Sequence, residues 1–213
     1  AVSETEEFWA GPFGDSYAAR NQGEELIQTK RAMFTRALAP VMSMPPLTVL
    51  EFGCNIGLNF AAMQQIPELR NTIYYGVEVN ERAAHAAGDL AAQVWMRSML
   101  DPARPWGAGY DLAMTCGTLI HVPPEHLPDA YAALYAASDL TLLIEYHNPT
   151  PVEVEYRGNA GKLFKRNFAG EMLSLYDDLR VVGYSFFWRS DPAYKFDDVL
   201  AVLLGRVDDA DDH

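Results

Sequence analysis

Two carboxylates, Glu51 and Glu78, each close an apolar run that gives way to a helical pattern, and Gly53 and Gly57 follow the first of them in "EFGCNIGLNF". Glycines at such a junction let the backbone turn and approach a ligand, and the amides that open the next helix offer donors. A tight turn with no ligand is the plain alternative. The loop lacks both G-x-G-x-x-G and the lysine of a G-x-x-x-x-G-K-[ST] phosphate loop. A carboxylate aimed at the loop, as Glu51 is expected to be, repels a pyrophosphate but attracts an ammonium and a sulfonium.

S-adenosylmethionine is a cofactor with that pair of charges. The second run ends in "GVEVN", where doubly wound folds place an acid that accepts both ribose hydroxyls, so Glu78 is expected to hold a ribose. A helix-capping carboxylate is its other common use. At the third strand's end, "RSMLD" offers Ser98 and backbone amides to an adenine edge, with Met99 and Leu100 against its face; ordinary core is the alternative for the last two. The fourth, "TCGTLIHVPP", supplies Gly117 to the cofactor and brings His121 near the reacting methyl, although a lone histidine is often structural. Glu145, Tyr146, His147 and Asn148 close the fifth, where alternation sends only some of them toward the pocket.

Methyl transfer from a sulfonium needs in-line placement and exclusion of water more than covalent help. An ammonium or hydroxyl acceptor must still lose a proton, and His121, Tyr146 and Glu145 are the candidate bases. No metal is expected, because Pro123 and Pro124 interrupt the nearest histidine pair and no spacing among His121, His126, His147 and Glu145 resembles a known site.

These residues need a scaffold that gathers strand ends. The runs "LTVLEFG", "TIYYGVEVN", "QVWMRSM", "YDLAMTCG" and "LTLLIEYH" alternate with helical stretches, which implies parallel strands with crossover helices. The last two runs, "RVVGYSFFW" and "DDVLAVLLG", have only "RSDPAYKF" between them and must pair antiparallel. The expected fold is therefore α/β and Rossmann-like, a seven-stranded, mostly parallel sheet with a C-terminal antiparallel hairpin and helices on both faces. A helix in "GEELIQTKRAMFTRALAPVM" precedes the sheet, and "NPTPVEVEYRGNAGKLFKRN" reads as a long irregular stretch after the fifth strand.

The 213 residues suffice for one domain, expected over 1–207 with 1–40 as a lid and helix, followed by an acidic tail at 208–213. A formal charge of −13 argues against nucleic-acid partners, whose phosphates require clustered Lys and Arg. No run is long enough for a bilayer, and no leader opens the chain, so a cytoplasmic protein without membrane partners is expected. Cys54 and Cys116 lack a paired spacing and read as small buried residues in a reducing compartment.

The sequence resembles the methyltransferases associated with pseudaminic acid biosynthesis, a branch of the class I S-adenosylmethionine-dependent fold. The likeness runs through "FWAGPFGDSYAARN" (8–21), "LEFGCNIGLN" (50–59), "YGVEVNERA" (75–83), "GTLIHVPPEHLPDAYAALY" (117–135) and "EYHNPTPVEVEYRGNAGKLFKRNFAGEML" (145–173); the first and last of these are the specific ones. It implies S-adenosylmethionine on Glu51, Gly53, Asn55, Gly57 and Glu78. It also implies a lid of Phe8, Trp9, Phe13, Tyr17 and Arg20, with Arg20 on the methionine carboxylate; a hydrophobic strap is the other reading of those aromatics. Cys54 and Cys116 depart from the family pattern.

Arg157, Lys162, Lys165 and Arg166 cluster near Tyr156, Phe164 and Phe168, and with Phe13 and Asn148 are expected to hold an anionic acceptor. The function expected is methylation at N or O of a small polar metabolite, such as an amino-sugar, nonulosonic-acid-like or natural-product intermediate. The rivals are a nicotinamide-dependent oxidoreductase and a non-catalytic S-adenosylmethionine-binding module. The oligomeric state is left open.

Overall fold

The computed structural model describes residues 4–20, 23–194 and 197–207; the side chain of Arg20 and the tail at 208–213 lie outside the described residues. The sheet begins with β1 (Thr48–Phe52), whose residues are almost all buried because helices cover both its faces. Alternation then assigns the faces. Leu50 and Phe52 join the core on one side and Val49 the core on the other.

β2 (Ile73–Glu78), β3 (Gln93–Met96), β4 (Leu112–Cys116) and β5 (Leu140–Glu145) add parallel strands, and β8 (Leu179–Phe187) and β9 (Val199–Arg206) close the sheet antiparallel. The order is β3-β2-β1-β4-β5-β9-β8, so the direction of winding reverses between β1 and β4 and leaves a crevice above their carboxyl ends. This is the α/β arrangement expected. The first core packs α6 (Leu127–Ala137) and α7 (Phe168–Leu175) on one face; the second packs α3 (Glu24–Ala37) and α4 (Leu58–Gln64) on the other. Fully buried side chains such as Phe34, Phe52 and Phe60 each contribute about 2–3 kcal/mol by leaving water.

Two segments add structure that the sequence left undefined or read as irregular. The opening aromatic stretch folds as two short helices, α1 (Glu4–Ala10) and α2 (Pro12–Arg20). The stretch expected to be irregular after β5 is a hairpin of β6 (Val152–Tyr156) and β7 (Asn159–Lys165). Its turn is Arg157-Gly158, both at positive φ (49° and 82°), the geometry that suits a two-residue hairpin loop. Among the described residues no helix is long and apolar enough to cross a membrane.

Candidate active site

A cavity of about 690 Å³ opens above the carboxyl ends of β1, β2 and β4, within the range of small-molecule sites. Its first wall is the turn after β1. Gly53 has φ 72°, and a Cβ there would stand 2.4 Å from the Thr118 hydroxyl, so only glycine lets the two loops meet. Gly53 and Asn55 line the cavity. Gly57 does not; it opens α4 from the left-handed region and backs onto Ala87 and Leu90.

Glu78 lines the cavity and is buried, with one oxygen accepting from the Asn55 amide and the other from the Asn80 amide, each at 2.8 Å. It therefore ties the β1 loop to the end of β2. Burial raises its pKa, and those amides pull it back. The Val79 amide also bears on it, and with about four acceptor positions the carboxylate has more than those three amides occupy. Met99 and Gly117 also line the cavity, whereas Ser98 is engaged with Glu6 of α1.

Glu51 is a correction. It shares the α3/α4 face with Val49 rather than facing the loop, and it is fully buried. Asn59 Nδ2 donates to it at 2.5 Å, and Asn59 in turn accepts from Lys30 at 2.8 Å. Desolvation pushes Glu51 up to about 8, which favours its protonated form at neutral pH, and its Oε2 finds no hydrogen-bond partner among the described residues. Placed on that face and outside the cavity lining, this acid does not select against a pyrophosphate in the loop. Lys30 does line the cavity and is one of the charged groups there that no motif signalled.

On the opposite side, His121 lines the cavity beneath Trp9, ring centroids 4.5 Å apart, and beside Tyr156 at 5.0 Å. Its Nδ1 lies 2.6 Å from the Lys162 carbonyl, and a carbonyl only accepts, so Nδ1 carries the proton and Nε2 the lone pair. Burial lowers the pKa to about 4 and keeps the ring neutral. Tyr146 also lines the cavity but donates its phenolic proton to Asp197 at 2.6 Å, and burial together with that carboxylate raises its pKa. It is a donor there, not a base. Glu145 is buried outside the cavity lining and accepts from the amides of Thr118 and Leu119 at 3.1 Å and of Ile120 at 3.4 Å. Desolvation pushes it to about 7 against those bonds. It braces the turn that carries His121.

The expected anion clamp is dispersed. Arg157 lines the cavity. Lys162 is buried beneath Phe8 and bonded to Glu4 at 3.0 Å, Arg166 pairs with Glu171 at 2.7 Å, and Lys165 lies 5.2 Å from the centre of the Tyr146 ring. Asn148 donates to Thr150 within its own turn. Trp9, Tyr17 and Tyr156 line the cavity, and Phe13 backs them, 4.2 Å from Phe8 and 5.9 Å from Tyr156. Arg189 and Asp197, from the β8–β9 connection, are lining residues that no motif signalled. Cys54 is buried and Cys116 half-buried, and both line the cavity. Among the described residues no group of three metal-ligating side chains is assembled.

The architecture has many solved counterparts. Magnesium protoporphyrin IX methyltransferase from Synechocystis PCC 6803, solved with bound S-adenosylmethionine, superposes with a TM-score of 0.65 at 14% identity over 97% of this chain and 99% of that one. The 1,6-didemethyltoxoflavin-N1-methyltransferase of Burkholderia thailandensis, solved with its substrate and S-adenosylhomocysteine, gives 0.69 at 14% identity over 98% and 91%. A methyltransferase of Leishmania major gives 0.70 at 13% identity over 94% and 81%. The fold is that of the class I S-adenosylmethionine-dependent methyltransferases. No protein-family model and no curated protein sequence matches the chain.

Proposed function

We propose that the protein is an S-adenosylmethionine-dependent methyltransferase acting on a small polar metabolite. The observation that carries this reading is Glu78, poised at the tip of β2 in a cavity also lined by Gly53 and Asn55. Ribose hydroxyls would donate to Glu78, the methionine part would run along the Gly53 turn toward Lys30, and the methyl would face His121. Such a donor supplies an activated methyl when bound; the chain's own part is to orient the acceptor, to keep water out with Trp9 and Tyr156, and to take a proton on His121 Nε2. The structural counterparts with bound donor or product support the same reading.

The acceptor is read more finely as an amino-sugar or nonulosonic-acid-like intermediate carrying an anionic group. The resemblance of 8–21 and 145–173 to the pseudaminic-acid-associated enzymes supports it, as does Arg157 in the cavity lining. The free thiols of Cys54 and Cys116 fit a cytoplasmic enzyme. Titration calorimetry with S-adenosylhomocysteine and with NAD tests the donor; tighter binding of NAD would transfer the site to the oxidoreductase reading. Mass spectrometry of candidate metabolites incubated with the donor then tests turnover, and binding without any added methyl would favour the non-catalytic module.

A further inference from the structure

We infer that Glu6, on the N-terminal helix α1, reads the 6-amino group of the donor's adenine and so couples closure of this helix to donor binding; the inference rests on the donor reading above. In the sheet order β4-β1-β2-β3, neighbouring strands stand about 4.8 Å apart. With the ribose on Glu78 of β2 and the methionine part over β1 and β4, the base attached to the ribose's far side falls over the tip of β3. Met99 and Leu100 follow that tip and line the cavity.

Glu6 reaches the same place from α1 and also lines the cavity. Its carboxylate accepts from the Ser98 hydroxyl, and the Ser98 oxygen accepts from the Leu100 amide at 2.9 Å. Ser98 is thereby a clip that aims Glu6 at the base site rather than an adenine ligand itself. A carboxylate accepts only, with about four acceptor positions, so it welcomes the two protons of a 6-amino group and repels a 6-oxo group. Arg97, which also lines the cavity, can only donate. Thr5, buried on the same helix, has a hydroxyl that turns to suit either partner and cannot discriminate.

The coupling follows from what else the helix carries. Three residues beyond Glu6 stands Trp9, the ring that covers His121. Asn80, which caps α5 (Glu81–Ala87) through the Ala83 amide, also donates its side-chain amide to the Trp9 carbonyl at 3.2 Å and to Asp15 at 3.0 Å. An adenine held by Glu6 would add a tie on the donor side of the helix that carries the cover of His121, so donor binding would favour its docked position.

Calorimetry on the full chain compares S-adenosylhomocysteine with S-inosylhomocysteine, which has a 6-oxo group. Wild type is expected to prefer the adenosine compound by about tenfold or more, and Glu6→Gln, whose amide can donate to the oxo group, to lose most of that preference. An unchanged preference in Glu6→Gln, or none in wild type, would overturn the inference while leaving the donor reading intact. A wild-type chain that binds neither compound would overturn the donor reading and this inference together. If Glu6→Gln fails to give a cooperative melt, Ser98→Ala replaces it: a reduced preference is expected, and an undiminished one would overturn the proposed aiming.

Discussion

Burial decides the charge of the acids under the first strand tip. Glu51 rises from 4.5 to about 8 on folding, so between those values the native chain holds a proton that the unfolded chain releases. The stability this gives is fully present below about 4.5 and is lost as pH rises through about 8. Glu51→Gln removes the titration; thermal melts across that range are expected to show wild type losing ground to the variant as pH rises, and parallel curves would mean an ionised Glu51. His121 behaves oppositely. Its fall from 6.5 to about 4 makes its contribution present above 6.5 and lost as pH falls toward 4. An imidazole that is neutral throughout this range predicts turnover with no inflection near 6.5. His121→Ala is expected to lower kcat by about a hundredfold or more with donor affinity little changed, and a matching loss of S-adenosylhomocysteine affinity would make it a packing residue instead. Glu78→Ala is expected to weaken that ligand about tenfold and also to lower Tm by several degrees, because the Asn55 and Asn80 amides lose their acceptor.

At the level of elements, the sheet was legible because its strands are buried on both faces and therefore spell continuous apolar runs. Which way a given side chain points was not, since a shift of one residue sends it to the opposite face; Glu51 sits under α3 and α4 for that reason alone. The β6–β7 hairpin had a signal in the alternation of Val152, Val154 and Tyr156 with Glu153 and Glu155, but Arg157-Gly158 is a rarer turn than Asn-Gly. Helices α1 and α2, of seven and nine residues, are too short to announce themselves and depend on docking against Asn80, Lys162 and His121. For the hairpin, Arg157→Asn keeps a residue tolerant of positive φ while removing the charge. It is expected to raise the acceptor's KM about tenfold and to leave donor affinity unchanged; Lys165→Glu, beyond the cavity lining, should do less. The reverse ranking would return the acceptor clamp to β7.

For the molecule as a whole, the sheet and the N-terminal helices are separable in kind: the strands tie to each other, while residues 4–20 attach over one rim of the cavity through contacts such as Asn80 to the Trp9 carbonyl and Lys162 to Glu4. Deleting residues 1–20 is accordingly expected to preserve a cooperative melt and the far-ultraviolet signature of the sheet while weakening donor binding, and loss of folding would show the helices to be part of the core. The fold and strand order place a cavity above β1 and β2; the residues on those tips decide what it takes. The most direct measurement is the crystal structure of the chain with S-adenosylhomocysteine. The account predicts both ribose hydroxyls within hydrogen-bonding distance of the Glu78 carboxylate and the sulfur facing His121, and a ligand bound anywhere outside this cavity, or with its ribose away from Glu78, would contradict it.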